Sequence, residues 1–194
     1  MRSSYIKNNY GAIFERLVYA FLPSVCVELG VLDGYSTFHI AKGILRAHRC
    51  RDHRSHLHAY DLWDDYEFKH GNKSDVESLL VTHELDQYVH LYKENAYKVS
   101  DLFCDKSVCF LHIDISNDGD VLKRMVELWH PKLTFGGIIA FEGGSEERDN
   151  VDWMKKYEKR SIKDELHRSE FIRKHFRYGT YLSFPSLTIL MKQV

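Results

Sequence analysis

The sequence predicts an α/β protein built on a mostly parallel sheet of seven strands, with helices on both faces and an antiparallel hairpin at the C-terminus. Three observations carry this expectation. Short apolar runs suited to buried strands alternate with amphipathic stretches through most of the chain. A glycine-bearing turn, Gly30 to Gly34, follows the first run and leads directly into a helical pattern. Near the end, two strand-like segments follow one another with no helix between Phe184 and Leu187. Such neighbours can only be antiparallel, because a parallel crossover takes about a dozen residues or more.

The elements follow in order. Ile13, Phe14, Leu17, Val18, Phe21 and Leu22 form the stripe of an amphipathic helix that ends before Pro23, so residues 1–23 read as an N-terminal helix. Val25–Leu29 reads as a buried strand, followed by a helix over residues 36–47 with Ser36 and Thr37 as capping candidates. Strands are expected at 57–62, 89–92, 108–115 and 138–141, with helices at 76–85, 96–103 and from Val121 to Trp129. Gly136 and Gly137 read as the turn into the fifth strand. The charged segment 146–177 has helical spacing in parts, and strands at 178–184 and 187–192 close the chain. The whole is a Rossmann-like arrangement, read as a single domain over residues 1–194.

Composition narrows the function classes. Of 194 residues, 44% are hydrophobic and 13% aromatic, a composition that folds. Lys and Arg total 27 against 28 Asp and Glu, a net charge of −1 that disfavours nucleic acid as a partner. No apolar run reaches the roughly 20 residues of a membrane span, and the polar N-terminus lacks the apolar core of a signal peptide. A cytoplasmic protein is expected. The four cysteines are too few and scattered for a disulfide framework.

Candidate chemistry gathers at the ends of the strands. Gly30 and Gly34 would let a ligand approach the backbone between the first strand and its helix. Asp61, ending the second strand, could accept hydrogen bonds from a ribose diol, with Trp63 offering an aromatic face for adenine. The spacing Gly30-x-x-x-Gly34 departs from the G-x-G-x-x-G of dinucleotide enzymes, which leaves a nicotinamide oxidoreductase as a third reading only. His48, Cys50, His53, His56 and His58, interleaved with arginines, admit either a zinc site, a phosphate-binding patch or a solvated connection. The loop after Glu142 reads as a mobile segment beside a substrate entrance, and the helix after it as a lid or a solvated, ion-paired surface.

On these residues the chain resembles the class I S-adenosylmethionine-dependent methyltransferases, above all the small-molecule O-methyltransferases of the macrocin and cephalosporin-hydroxylase-like group. Glu28-Leu-Gly30-x-x-x-Gly34-x-Ser36-Thr37 is similar to their first motif. His112-Ile113-Asp114, the helix ending in Trp129-His130-Pro131, and Gly136-Gly137-Ile138-Ile139-Ala140-Phe141-Glu142 are similar to their fourth and fifth. The resemblance implies S-adenosylmethionine as cofactor, held by Glu28, Gly30, Gly34, Ser36, Asp61, Trp63, Asn95, Ala96 and Asp114. It implies a small-molecule acceptor and catalytic roles for Asp114, Glu142 and His112. It also implies Mg or Mn at Asp114 and Glu142, lowering the pKa of a substrate hydroxyl. Ser116 and Gly143 stand where the family has acids, so a catalytically reduced binding module is the second reading. Asn117, Asp118 and Asp120 could substitute as ligands or cap the following helix. The apolar stripe of the first helix is available to a second subunit, as in a homo-oligomer.

Overall fold

The computed structural model describes residues 1–193. The strands number seven and belong to one sheet. The chain divides into two compact units, Met1–Val99 and Ser100–Val194, taken here in turn.

In the first unit, α1 (Tyr10–Phe21) precedes β1 (Val25–Leu29), α2 (Tyr35–Arg51), β2 (His56–Asp61), α3 (Lys73–Thr82) and β3 (Val89–Lys93). The strands β1, β2 and β3 are parallel, with Glu28 beside Ala59 and Leu29 beside Tyr60. The stripe of α1 is buried in part: Phe21 remains about half exposed. Phe14 and Val18 are fully buried, and a Cβ on Gly43 of α2 would lie 2.8 Å from Cβ of Val18. The helix α2 begins one residue earlier than expected and is capped by Gly34 at φ 77°, not by Ser36 or Thr37, both of which lie inside it. The expected helix over 96–103 is a single 3-10 turn, Val99–Leu102.

In the second unit, β4 (Val108–Ile113) is followed by α4 (Gly119–Trp129) and β5 (Leu133–Glu142). Four short helices, α5 (Glu146–Asp149), α6 (Asp152–Lys156), α7 (Ile162–Arg168) and α8 (Glu170–His175), lead to β6 (Phe176–Tyr181) and β7 (Leu187–Lys192). The strands β4 and β5 are parallel, and β7 runs antiparallel to both β5 and β6, as the missing crossover required. Gly136 and Gly137 do not precede β5 but lie inside it. The ladder runs from Val108 beside Leu133 to Phe110 beside Ile138, and Gly136 takes φ 73° in the irregularity between them. Leu111, Ile113, Leu122, Met125, Val126, Trp129 and Ile139 form the fully buried core of this unit.

Candidate functional site

In the first unit the turn after β1 is organised by a carboxylate. Asp61 Oδ2 accepts from the amides of Val31 at 2.7 Å and Leu32 at 3.1 Å, while Oδ1 accepts from the amide of Trp63 at 2.9 Å. Leu32 sits at φ 52° and Gly30 at φ 91°, left-handed conformations that only a well-anchored loop sustains. A carboxylate offers about four acceptor positions. Three are taken by amides, so Asp61 retains room for about one further donor and not for both hydroxyls of a diol.

Glu28 is fully buried at the end of β1, and Thr37 in the first turn of α2 donates to its Oε2 at 2.5 Å. The hydroxyl expected as a cap therefore ties strand to helix. Gly34 is required locally: besides its φ, a Cβ there would come within 2.9 Å of Val76 Cγ1 in α3. Ser36 is buried. Trp63 is also buried, and its indole Nε1 donates to the carbonyl of Tyr92 at 3.0 Å. Trp63 lines an open cleft with Arg2, Asp33 and Asn72, but at 2% exposure it offers little open aromatic face. Asn95 accepts from the amide of Tyr97 at 3.0 Å, and Asn95 and Ala96 are half-buried in the turn after β3.

Arg2 is a residue that motif reading missed. It grips Asp33 with Nη2 at 2.7 Å, Nε at 2.8 Å and its own amide at 2.7 Å, pulling the carboxyl down to about 2 through hydrogen bonding and charge. Hydrophobic spacing carries no signal for such a contact between residues 31 positions apart in sequence.

The histidine-rich segment does not converge. His56 and His58 project from β2 and stack with His90 and Tyr92 of β3, with centroids 5.4 to 6.0 Å apart. Burial, together with the neighbouring His90 and His56, lowers the pKa of His58. Cys50 is exposed, and among the described residues no group of three or more potential ligands is found.

In the second unit, His112 is fully buried in β4 beside Ala140 of β5. Asp114 follows the last residue of β4 and is half-buried. Glu142 ends β5 and is buried, and its Oε1 receives both Nη2 of Arg148 at 3.0 Å and Nε at 3.1 Å. Glu142 is thus neutralised by a buried guanidinium. Gly143 sits at φ 116°, a conformation that strains any other residue, and a Cβ there would press on Cδ1 of Ile162. Asp118 caps α4 by accepting from the amide of Asp120 at 2.9 Å and pairs with Lys159 at 3.1 Å. Asp120 pairs with Arg160.

This donor set does not fit a divalent cation. One carboxylate is bound by an arginine, the second acidic position is a glycine at φ 116°, and the substitutes cap a helix or pair with cations. Hard cations need several open oxygen ligands, so the expected Mg or Mn at Asp114 and Glu142 is corrected here.

The loop after Glu142 is pinned as well. Its Gly143 amide donates to the Ser186 carbonyl at 2.8 Å, Thr188 Oγ1 donates to the Gly143 carbonyl at 2.7 Å, and the Ser145 amide donates to Ser186 Oγ at 3.1 Å. Asp149 in turn accepts from Ser161 Oγ and from the amides of Ile162 and Lys163 at 2.8 to 3.0 Å. The glycines serve close packing against β7, not mobility.

Comparison with known proteins agrees with this geometry. A family model described as a methyltransferase domain matches residues 27–142, more than half of the chain. No curated protein matches. A methyltransferase structure from Geobacter sulfurreducens superposes with a TM-score of 0.67 at 15% identity, covering 98% of this chain and 84% of that one. An O-methyltransferase from Bacillus cereus, solved with S-adenosylhomocysteine, gives 0.67 at 14% identity, with 95% and 81% covered. A methyltransferase from Podospora anserina, also bound to S-adenosylhomocysteine, gives 0.69 at 12% identity, with 100% and 80% covered. The chain belongs to the methyltransferase-domain family.

Proposed function

We propose that this protein transfers the methyl group of S-adenosylmethionine to an oxygen of a small, polyhydroxylated acceptor. The observation that carries the reading is the turn between β1 and α2, whose amides converge on Asp61 while Glu28 is held behind it by Thr37. A preorganised turn of this kind at the carboxyl end of a parallel strand suits a nucleoside cofactor. In the proposal Glu28, Gly30, Asp61, Asn95 and Ala96 bind the cofactor, and Asp114 serves as the proton acceptor.

The chemistry asks little of the protein. The acceptor oxygen bonds to the methyl carbon as the carbon–sulfur bond breaks, and that electron pair stays on sulfur to give S-adenosylhomocysteine. The hydroxyl proton passes to Asp114 and then to water. Alignment and proton removal are the protein's contributions. The corrected donor set leaves this to side chains without a divalent ion. Among the described residues no helix is long and apolar enough to cross a membrane. The described cysteines are free, which supports a cytoplasmic placement.

The experiment is a screen of sugars, catechols and phenols with S-adenosylmethionine labelled in its methyl group, read by mass spectrometry. A labelled, singly methylated product whose formation is lost in Asp114→Asn supports the reading. Cofactor binding with no product from any acceptor would favour instead a binding module that has lost turnover, which glycine in place of an acid at position 143 accommodates.

A further inference from the structure

The turn that leaves β1 places three left-handed residues within five positions, Gly30 at φ 91°, Leu32 at φ 52° and Gly34 at φ 77°. Asp61 secures its inner half through the amides of Val31 and Leu32, and the Gly34 amide donates to the Val31 carbonyl at 2.9 Å. Neither contact reaches Asp33. That carboxylate is held from outside the turn by Arg2, through Nε at 2.8 Å, Nη2 at 2.7 Å and the backbone amide at 2.7 Å. Nη2 also donates to the carbonyl of His70 at 3.1 Å, in the connection between β2 and α3. One guanidinium thus clasps the turn to that connection.

Both sides of the clasp are themselves placed. Ser3 caps the 3-10 helix Ser4–Asn8 by accepting from the amide of Tyr5 at 3.2 Å. Tyr5 is fully buried, its ring 5.3 Å from that of Phe14 in α1, so Arg2 is carried by an anchored segment. On the other side, a Cβ on Gly71 would run into the carbonyl oxygen of Leu32, so the backbone of the connection lies directly against the turn. Arg2, Asp33, His70 and Gly71 all line the same open cleft. The outer face of the turn therefore borders solvent and depends on the clasp for its shape. Hydrogen bonds from Arg2 hold the Asp33 carboxyl at about 2, which keeps the pair charged across the neutral range.

We infer that Arg2 is a positioning residue of the cofactor site: by clasping Asp33 to the connection after β2, it keeps the turn in the conformation that accepts S-adenosylmethionine. The apparent dissociation constant of a ligand is the intrinsic one divided by the fraction of protein in the competent state. A turn with three left-handed residues persists only while its surroundings over-determine it, so removing one side of its support lowers that fraction. The Arg2 side chain is 55% exposed, and an exposed ion pair contributes little to global stability. Its effect is local and shows in affinity, not in unfolding. Salt screens such a pair, and screens the buried bond between Thr37 and Glu28 much less. The inference rests on the methyltransferase reading above, and in it Arg2 acts through Asp33 without touching the reacting atoms.

The test is calorimetric titration with S-adenosylhomocysteine, a ligand without net charge, of the wild type, Arg2→Met, Asp33→Asn and the double variant. Each single substitution is expected to raise the dissociation constant about fivefold or more. The double variant should match the singles within about twofold, because all three remove the same clasp. Raising salt to about 0.5 M should weaken binding to the wild type and leave Arg2→Met unchanged. Thermal midpoints of the four proteins should stay within about 3 °C of one another. An Arg2→Met protein that binds within twofold of wild type, losses that add in the double variant, equal salt dependence in wild type and Arg2→Met, or a midpoint that falls with the affinity would each overturn the inference. A wild type that binds no S-adenosylhomocysteine would instead sink the methyltransferase reading, a distinguishable failure.

Discussion

The carboxylate of Asp61, at the end of β2, lies 2.7 Å from the amide of Val31 in the turn that leaves β1. One oxygen gathers two consecutive amides of that turn, and the other holds the amide of Trp63. The residue is therefore a keystone of the turn as well as a candidate ligand. Replacing it with alanine leaves three amides to find water or nothing, at a cost of about 1–3 kcal/mol for a buried unsatisfied donor. In Asp61→Ala, hydrogen exchange at Val31 and Leu32 should accelerate at least tenfold while core amides of β4 keep their protection. Unchanged exchange at both would show that the turn holds itself.

Thr37→Val should destabilise the protein by about 1–3 kcal/mol, since it removes a donor from a fully buried carboxylate. Thr37→Ser should recover most of that loss. Thermal unfolding of the three forms checks the order, and equal midpoints for valine and threonine would contradict it.

Gly143→Asp restores the acid that the family resemblance leads one to expect. It should not restore a metal site, because the position has φ 116°, which strains any side chain, and Glu142 is already held by Arg148. A loss of about 1–3 kcal/mol from backbone strain is expected in chemical denaturation. A stable variant that gained manganese affinity would contradict the packing argument.

Stability should also fall with acid below about pH 6.5, the ordinary histidine value. The pKa of His58 is lowered by burial and by His90 and His56, so the unfolded chain binds the proton more readily than the folded one. The stabilising difference is present above the unfolded pKa and is lost as pH falls through the folded one. His58→Phe should flatten the slope of unfolding free energy against pH between 7 and 5. An unaltered slope would place the acid sensitivity elsewhere.

These residues also show where sequence reading succeeds and where it stops. The bounds of β1 and β7 follow from apolar runs that punctuation by Pro23 and Pro185 isolates, and the antiparallel ending follows from a connection too short to cross over. The position of Asp61 was legible because it ends a strand beside a glycine turn, but its amide partners were not, since they depend on Leu32 adopting φ 52°. The start of β5 was misplaced because two glycines resemble a turn, whereas here they absorb an irregularity inside a ladder. Arg148 lies in a charged stretch that reads as a solvated helix. Its burial depends on a cap by Ser145 and a fold-back onto Glu142, neither of which has a periodic signature. The pairing of Arg2 with Asp33 is likewise a product of tertiary closure.

The most direct test of the central claim is calorimetric titration of the purified protein with S-adenosylmethionine and S-adenosylhomocysteine, repeated on Asp61→Ala. The account predicts saturable binding of both by the wild type at one site per chain, weakened at least tenfold in Asp61→Ala. Absence of binding to the folded wild-type protein, or equal affinity in the variant, would contradict it.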